Sequence, residues 1–351
     1  MNIPLKKYFS TLLTAPLIAL SIFAAGISSS SYGDYSTHPE AADFIDSMVE
    51  KHQFKREEII DWLKVAEHQT SIVKAMSRPA EKVKPWYEYR KHFISERRIK
   101  GGVKFWKENK ATLERAQREL GVEPAIIVSI IGVETNYGSN TGSYKVVDAL
   151  ATLAFDYYTY TEKRASRKRF FTAELENLFL LAREQKQNPV ELKGSYAGAM
   201  GLGQFMPSSY RNYAIDFDND QFANIWTNPT DAIGSVANYF ARHGWKQGEA
   251  VAMRANISSD PAEESLNKLH RPKATLAELN SQGYKIIEKF PAETKALPMR
   301  FQAKYGNEYW LGLHNFYVIS RYNPRTKYAM AVYQLSELIQ ERYCAQSSDC
   351  Q

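Results

Sequence analysis

The sequence predicts a mainly α protein of the α+β kind: a helical body interrupted by a small, partly β insertion. Three observations carry this. Apolar residues recur at helical spacing over most of residues 41–244. Helix ends there are marked by Pro at the start and Gly past the end, as in Glu123-Pro124 to Gly138 and Asn228-Pro229 to Gly244. Between Trp245 and about Leu313 the apolar runs shorten and are bounded by Pro, Gly and Asn, which favours strands at Val251–Ile257, Tyr284–Phe290 and Pro298–Gln302. At 351 residues, 44% apolar and 24% charged, the chain is neither disordered, collagen-like nor a polytopic membrane protein. Its length allows about two or three domains and enough buried surface for a stable core.

In chain order, residues 1–33 read as a secretory signal peptide. Lys6-Lys7 precedes an apolar run from Tyr8 to Ile27, small residues come next, and no acid appears before Asp34. The alternative is an uncleaved anchor, since the run nearly reaches the ~20 residues of a spanning helix; Thr11, Thr14, Pro16 and Ser21 weaken it. No cysteine stands directly behind the run, where a lipid would be attached, so the expectation is a protein without a lipid anchor, in the periplasm. Residues 34–111 form an N-terminal helical domain with a polar, proline-containing break at Ser77–Pro85. Residues 112–245 form the central helical core, 246–312 the β-containing insertion, and 313–351 the return to the core, with a helix over Lys327–Tyr343. Cys344 and Cys350 suit neither a zinc site nor a redox motif; in an exported protein they can close a small terminal disulfide.

Composition narrows the partners. A net charge of +6 without a concentrated basic patch argues against nucleic acid but suits an acidic polymer. Aromatics at 13% suit ligands with flat apolar faces and hydroxyl rims, such as sugars, although they serve equally as core and surface filler.

One carboxylate stands out. Residues 124–133 are nearly all apolar, and Glu134 is the only acid of that helix. Ile127, Ile130 and Ile131 lie seven, four and three residues before it, so its side chain continues a buried stripe. Desolvation raises a carboxyl pKa and keeps the group protonated near neutrality, as a general acid requires. A Glu in a last helical turn also commonly reaches solvent or caps a neighbour, and spacing alone leaves both readings open. The stretch Lys193–Tyr210 has glycines at 194, 198, 201 and 203 with Ser195 and Gln204 among them. It lacks the Lys and Ser/Thr of a phosphate loop, and it suits either a carbohydrate or simple loop packing.

These residues carry a resemblance. Gly132–Gly138, Gly194–Tyr210 and Asp231–Phe240, with Trp86–Phe93 and Tyr309–Tyr322, resemble the family of membrane-bound lytic murein transglycosylase B over nearly the whole mature chain. The resemblance implies a lysozyme-like helical core with an added helical domain and a small β domain. It also implies cleavage of the bond between N-acetylmuramic acid and N-acetylglucosamine in peptidoglycan, leaving 1,6-anhydro ends. Glu134 matches the family's single catalytic acid/base. Ser195, Gln204, Tyr239, Tyr322 and Asn323 fall at matching cleft positions, as do Tyr89 and Tyr328. Arg167 stands for the family's basic pair in a segment, Tyr157–Arg169, that is longer here.

The run Asp216-Phe-Asp-Asn-Asp220 opens like an EF-hand calcium loop, but position 6 is Gln221 rather than Gly and position 12 is Thr227 rather than Glu. The resemblance implies a lengthened loop in which Asp216, Asp218, Asp220 and Asp231 are ligands together with a carbonyl near Phe222; an acidic turn without metal is the other reading. It implies no cofactor for catalysis, a structural calcium ion, a monomer, glycan strands as substrate, and cell-wall synthases as a class of partner left open. A hydrolytic muramidase and a non-catalytic wall-binding scaffold are the competing functions.

Overall fold

The helical periodicity of residues 41–120 resolves into short helices rather than long ones. In the computed structural model, which describes residues 33–77, 84–156, 162–347 and 350, the first six are α1 (Ala41–His52), α2 (Arg56–Lys64), α3 (Thr70–Ser77), α4 (Trp86–Tyr89), α5 (Glu96–Glu108) and α6 (Lys110–Leu120). α1 buries Ala41, Phe44, Ile45 and Met48, the stripe expected at 3.6 residues per turn, and ends on Gln53 in the left-handed region. α5 opens at Ser95, whose hydroxyl accepts the Arg98 amide proton (3.3 Å), and α6 ends on left-handed Gly121. Most of the proline break, and all of the expected signal peptide but Gly33, lie outside the described residues.

The middle of the chain is α7 (Pro124–Thr135), β1 (Tyr144–Lys145), α8 (Val146–Ala151) continued by a π turn over Thr152–Asp156, α9 (Glu162–Glu184), β2 (Lys193–Gly194), α10 (Pro207–Tyr213) and α11 (Pro229–Arg242). α7 is buried on all sides, every residue but Glu134, so it is the central rod of the core. It packs against α5, α6 and α11 and against α14, the last helix of the chain. The buried Ser129 hydroxyl in its middle bonds the Val332 carbonyl of that last helix at 2.6 Å.

The insertion comes next as β3 (Ala252–Ile257), β4 (Ala274–Thr275), α12 (Leu276–Ser281), β5 (Tyr284–Ile286), β6 (Lys295–Gln302) and β7 (Asn307–Gly312), before α13 (His314–Tyr322) and α14 (Thr326–Cys344) return to the core. The strands form one antiparallel sheet in the order β4-β6-β7-β3-β5. Leu297, Met299, Phe301 and Trp310 join the main core, with the Phe301 ring 5.1 Å from that of Trp86. Met253, Ala255 and Leu311 make a second small core with Leu276 and Leu279 of α12. Pro298, which has no amide proton, sits in β6 beyond its last pair with β4 at Ala296. Three features differ from the sequence reading. β5 stops at Ile286, because Ile287 is already exposed; β7 is an additional strand; and α12 is a helix opened by a capping box between Thr275 and Glu278. A disulfide joins Cys344 to Cys350, and no described helix is long and apolar enough to cross a membrane.

Candidate active site

Glu134 emerges where α7 leaves the core, its side chain half-buried. Its Oε1 accepts a hydrogen bond from the Tyr328 hydroxyl of α14 at 2.5 Å. Burial pushes its pKa up to about 7, with the Tyr328 bond acting in the opposite direction. The helix stops at Thr135, three residues before the Gly138 that marks its end in the sequence. Asn136, Tyr137 and Gly138 are all left-handed, with φ of 51°, 60° and 83°. Two contacts fix this turn. Arg98 of α5 donates to the carbonyls of Gly132 and Val133, satisfying orphan groups of the last turn and setting a cation at the negative end of the helix. The Tyr137 hydroxyl bonds the Arg98 carbonyl (2.8 Å), and a Cβ on Gly132 would lie 2.6 Å from that hydroxyl, so only glycine fits.

The glycine-rich stretch lies across the end of α7. The Thr135 hydroxyl bonds the Leu202 carbonyl at 3.0 Å, tying the turn to the loop. Gly201, left-handed, would place a Cβ 2.5 Å from the Ile225 carbonyl oxygen. Ser195 accepts the Ala199 amide proton on its hydroxyl (3.1 Å), and Gln204 donates its amide to the carbonyls of Thr141 (3.1 Å) and Gly201 (3.0 Å).

Tyrosines complete the surroundings of Glu134. The carboxylate's charge opposes ionisation of Tyr328, Tyr322 and Tyr89, adding to the larger effect of burial on each, so all three are near it and all stay protonated. Tyr322 donates to the Gly203 carbonyl of the loop. Tyr239 lies behind it, ring centroids 4.7 Å apart, with its hydroxyl bonded to the Arg321 carbonyl at 2.6 Å. Asn323 comes directly after Tyr322, half-buried in extended backbone at the end of α13. Arg167 is not drawn into this group: it is exposed on α9, and no bond joins it to these residues among those described. Residues 157–161 of the same segment lie outside the described residues.

The acidic loop is a second constellation. Carboxylate oxygens of Asp216, Asp218, Asp220 and Asp231 lie within 4.8 Å of one another. Asp231, at the start of α11, accepts the amide protons of Phe217 (2.7 Å) and Asn224 (2.8 Å); Asp216 accepts those of Asp220 (3.1 Å) and Gln221 (2.7 Å). Among the described residues no Lys or Arg forms an ion pair with any of the four. Gln221 takes φ 79°, so the tight turn that glycine provides at position 6 of such loops is present without glycine. The Phe222 carbonyl accepts the Asn224 amide proton at 2.8 Å. A cluster of hard oxygen donors with no organic counter-charge fits a calcium ion.

The profile of the transglycosylase SLT domain matches residues 36–337. The chain belongs to the SLT-domain transglycosylase family. It is 42% identical over 316 residues to membrane-bound lytic murein transglycosylase B of Escherichia coli strain K12, covering 88% of this chain and 84% of that one. The crystal structure of the catenated lytic transglycosylase SltB1 of Pseudomonas aeruginosa superposes with a TM-score of 0.83 at 49% identity, over 88% of this chain and all of that one (100%). An Escherichia coli lytic transglycosylase solved in complex with calcium gives 0.80 at 41% identity, over 89% and 96%. The fold is thus the lysozyme-like fold of these lytic transglycosylases. Within this SLT-domain chain, sequence reasoning missed Arg98, Thr135 and Tyr137. The pair Gly101-Gly102 was the one hint, since a Cβ on Gly101 would meet the Tyr137 ring and one on Gly102 would meet Ile339 and the Tyr137 hydroxyl.

Proposed function

We propose that the chain is a periplasmic lytic transglycosylase that cleaves the bond between N-acetylmuramic acid and N-acetylglucosamine in peptidoglycan without water, leaving 1,6-anhydro ends and serving wall turnover. The observation that carries this is a single carboxyl poised near neutrality among neutral tyrosines. Among the described residues, no second carboxylate contributes to its ionisation. A hydrolytic muramidase of the usual kind needs a partner acid about 5–10 Å away.

In the reaction, protonated Glu134 donates to the glycosidic oxygen as the C1–O bond breaks. The substrate's own N-acetyl carbonyl supports the charge that develops at C1, a recognised exception to the two-carboxylate rule. Glu134, now ionised, takes the proton from the C6 hydroxyl, whose oxygen closes on C1. One bond breaks, one forms, the proton returns, and no water is consumed. The Tyr328 hydroxyl stabilises the carboxylate between these two transfers. Ser195, Gln204 and Asn323 orient the sugar and its acetamido group, while Tyr89 and Tyr322 line the walls with Tyr239 supporting Tyr322 from behind.

The test is the soluble product released from purified sacculi. Anhydro ends, lighter than reducing ends by one water, are expected from wild type, and Glu134→Gln should lose about two to four orders of magnitude in rate. Reducing ends would favour the muramidase, and near wild-type release by Glu134→Gln would remove the assignment. At the acidic loop, Asp216, Asp218, Asp220 and Asp231, with the Phe222 carbonyl, would hold calcium in a structural role remote from the chemistry.

A further inference from the structure

The turn directly behind Glu134 is strained and has to be held. Asn136 and Tyr137, neither of them glycine, are left-handed in succession at φ of 51° and 60°. Such a conformation persists only where the surrounding structure imposes it. The Asn136 amide donates to the Gly132 carbonyl (3.1 Å) and the Tyr137 amide to the Ile131 carbonyl (3.3 Å), which closes α7 in a Schellman-like end. Glu134 stands inside that last turn, the part of a helix with the fewest bonds of its own.

α5 supplies the hold. Nη1 of Arg98 donates to the carbonyls of the two residues immediately before Glu134, to Gly132 and, at 3.4 Å, to Val133. The Tyr137 hydroxyl donates back to the Arg98 carbonyl at 2.8 Å, so this residue meets the turn with both side chain and backbone. Three glycines make room for the ring. A Cβ would lie 2.8 Å from a ring carbon of Tyr137 at Gly101, and 2.7 Å and 2.6 Å from its hydroxyl oxygen at Gly102 and Gly132. Gly101 and Gly102 are one helical turn beyond Arg98, so one face of α5 carries the cation and the space for Tyr137 together.

The charge of Arg98 serves no carboxylate. The side chain is half-buried with its guanidinium carbon 5.5 Å from the centroid of the Phe93 ring, and burial works against the charge by lowering its pKa. Among the described residues no acid forms an ion pair with it, and Glu96, two residues earlier, is taken by Lys100 and Arg342. Burying a cation without an anion costs desolvation. Here the carbonyls at the negative end of α7 offset that cost, and they belong to the turn that carries Glu134.

We propose that Arg98 is a positioning residue for Glu134: from α5 it fixes the last turn of α7, and with it the place at which the carboxyl meets the substrate. The proposal rests on the single-acid reading above. That carboxyl has to reach the glycosidic oxygen and then the C6 hydroxyl, and a misplacement of about 1 Å can cost about a hundred-fold in rate. Arg98 acts through the backbone. The groups that bear on the ionisation of Glu134 itself are burial and the Tyr328 hydroxyl, with Tyr89 and Tyr322 near it.

The experiment measures kcat and KM on soluble glycan strands across pH for wild type, Arg98→Met, Arg98→Lys and Tyr137→Phe, with circular dichroism at the assay temperature to show that each is folded. Methionine keeps an apolar stem against Phe93 but neither donor nor charge. Lysine keeps a cationic donor, and one nitrogen suffices because Nη1 makes both bonds. Arg98→Met should lower kcat about ten- to a hundred-fold with KM unchanged to within about two-fold. Its alkaline limb in kcat/KM should move down by about one pH unit, because a carboxyl loosened from its buried place is better solvated. Arg98→Lys should recover most of both, and Tyr137→Phe should shift the limb the same way with a loss of about three-fold in kcat. An unchanged kcat, a lower kcat with an unmoved limb as from a smaller folded fraction, or a limb displaced upward as from lost charge alone overturns the positioning role. Anhydro ends from wild type leave the transglycosylase reading standing in each of those cases. If Arg98→Met does not fold, the limb of Tyr137→Phe decides by the same rule. Wild type that releases no anhydro ends overturns both readings.

Discussion

Replacing Tyr328 by Phe removes one hydrogen bond and leaves the shape of the site. The bond runs from a buried hydroxyl to Oε1 of Glu134 at 2.5 Å and favours the ionised carboxylate, against the burial that holds the pKa at about 7. A hydrogen bond to a charged group contributes about 1.5–3 kcal/mol and one to a neutral group about 0.5–1.5 kcal/mol. The difference, about 1.2 kcal/mol between the midpoints, is about one pKa unit. Without the bond the Glu134 pKa therefore rises, and the protonated acid survives to higher pH. Between pH 6 and pH 8 the wild-type acid falls to about one tenth of its protonated population, and the variant's to about half. The assay is kcat/KM on soluble glycan strands across pH, which reports ionisations of the free enzyme. The alkaline limb of Tyr328→Phe should move up by about one pH unit, while its rate at pH 6 falls because the carboxylate formed in mid-reaction loses its donor. An unmoved limb, or one displaced to lower pH, refutes the electrostatic account of Glu134.

The remaining predictions concern stability. Glu134 has a folded pKa near 7 against an ordinary 4.5, so its ionisation costs the folded state about 3 kcal/mol once the pH passes 7, and nothing below the ordinary value. Glu134→Gln should therefore melt higher than wild type at pH 8 and like it at pH 4; a difference independent of pH would sink this. Calcium in excess should raise the Tm over that in chelator, since a ligand bound only to the folded state stabilises it by about 2.7 kcal/mol at a hundred times its Kd, and Asp220→Asn should shrink the gain. An unchanged melting curve for wild type counts against a filled loop. Gly234→Ala in α11 should destabilise, although alanine is the better helix former by about 1 kcal/mol. The new Cβ would lie 2.4 Å from Cγ of the Phe217 ring, and overpacking costs about 1–3 kcal/mol. A higher Tm would show that the ring can move aside.

How much of this was legible depends on how local each feature is. Glu134 stands out because its whole signal lies within ten residues: one acid on a stripe of Ile127, Ile130 and Ile131. The acidic loop is similar, since Asp216, Asp218 and Asp220 alternate over five residues. Its apparent defect, Gln221 for glycine, was one of residue type and not of backbone, because a glutamine at φ 79° makes the same turn. The strand β7 is hidden in the sequence because its residues do not alternate. Trp310, Leu311 and Gly312 are buried in succession and run on into buried Leu313, so no period of two separates the strand from the start of α13. The basic run around Arg167 is a different case, for a row of charges looks the same on a solvated helix as in a binding site. What no local pattern contains is the tuning of the acid. The pKa of Glu134 is set by burial under α14 and by a hydroxyl 194 residues away, and its helix end is fixed by Arg98, 34 residues before the carbonyl it holds. Tyr328 meets Glu134 only because the chain, after leaving the core for the β insertion, returns to pack α14 against α7. The sequence singles out the carboxyl, but the topology sets the pH up to which it stays protonated.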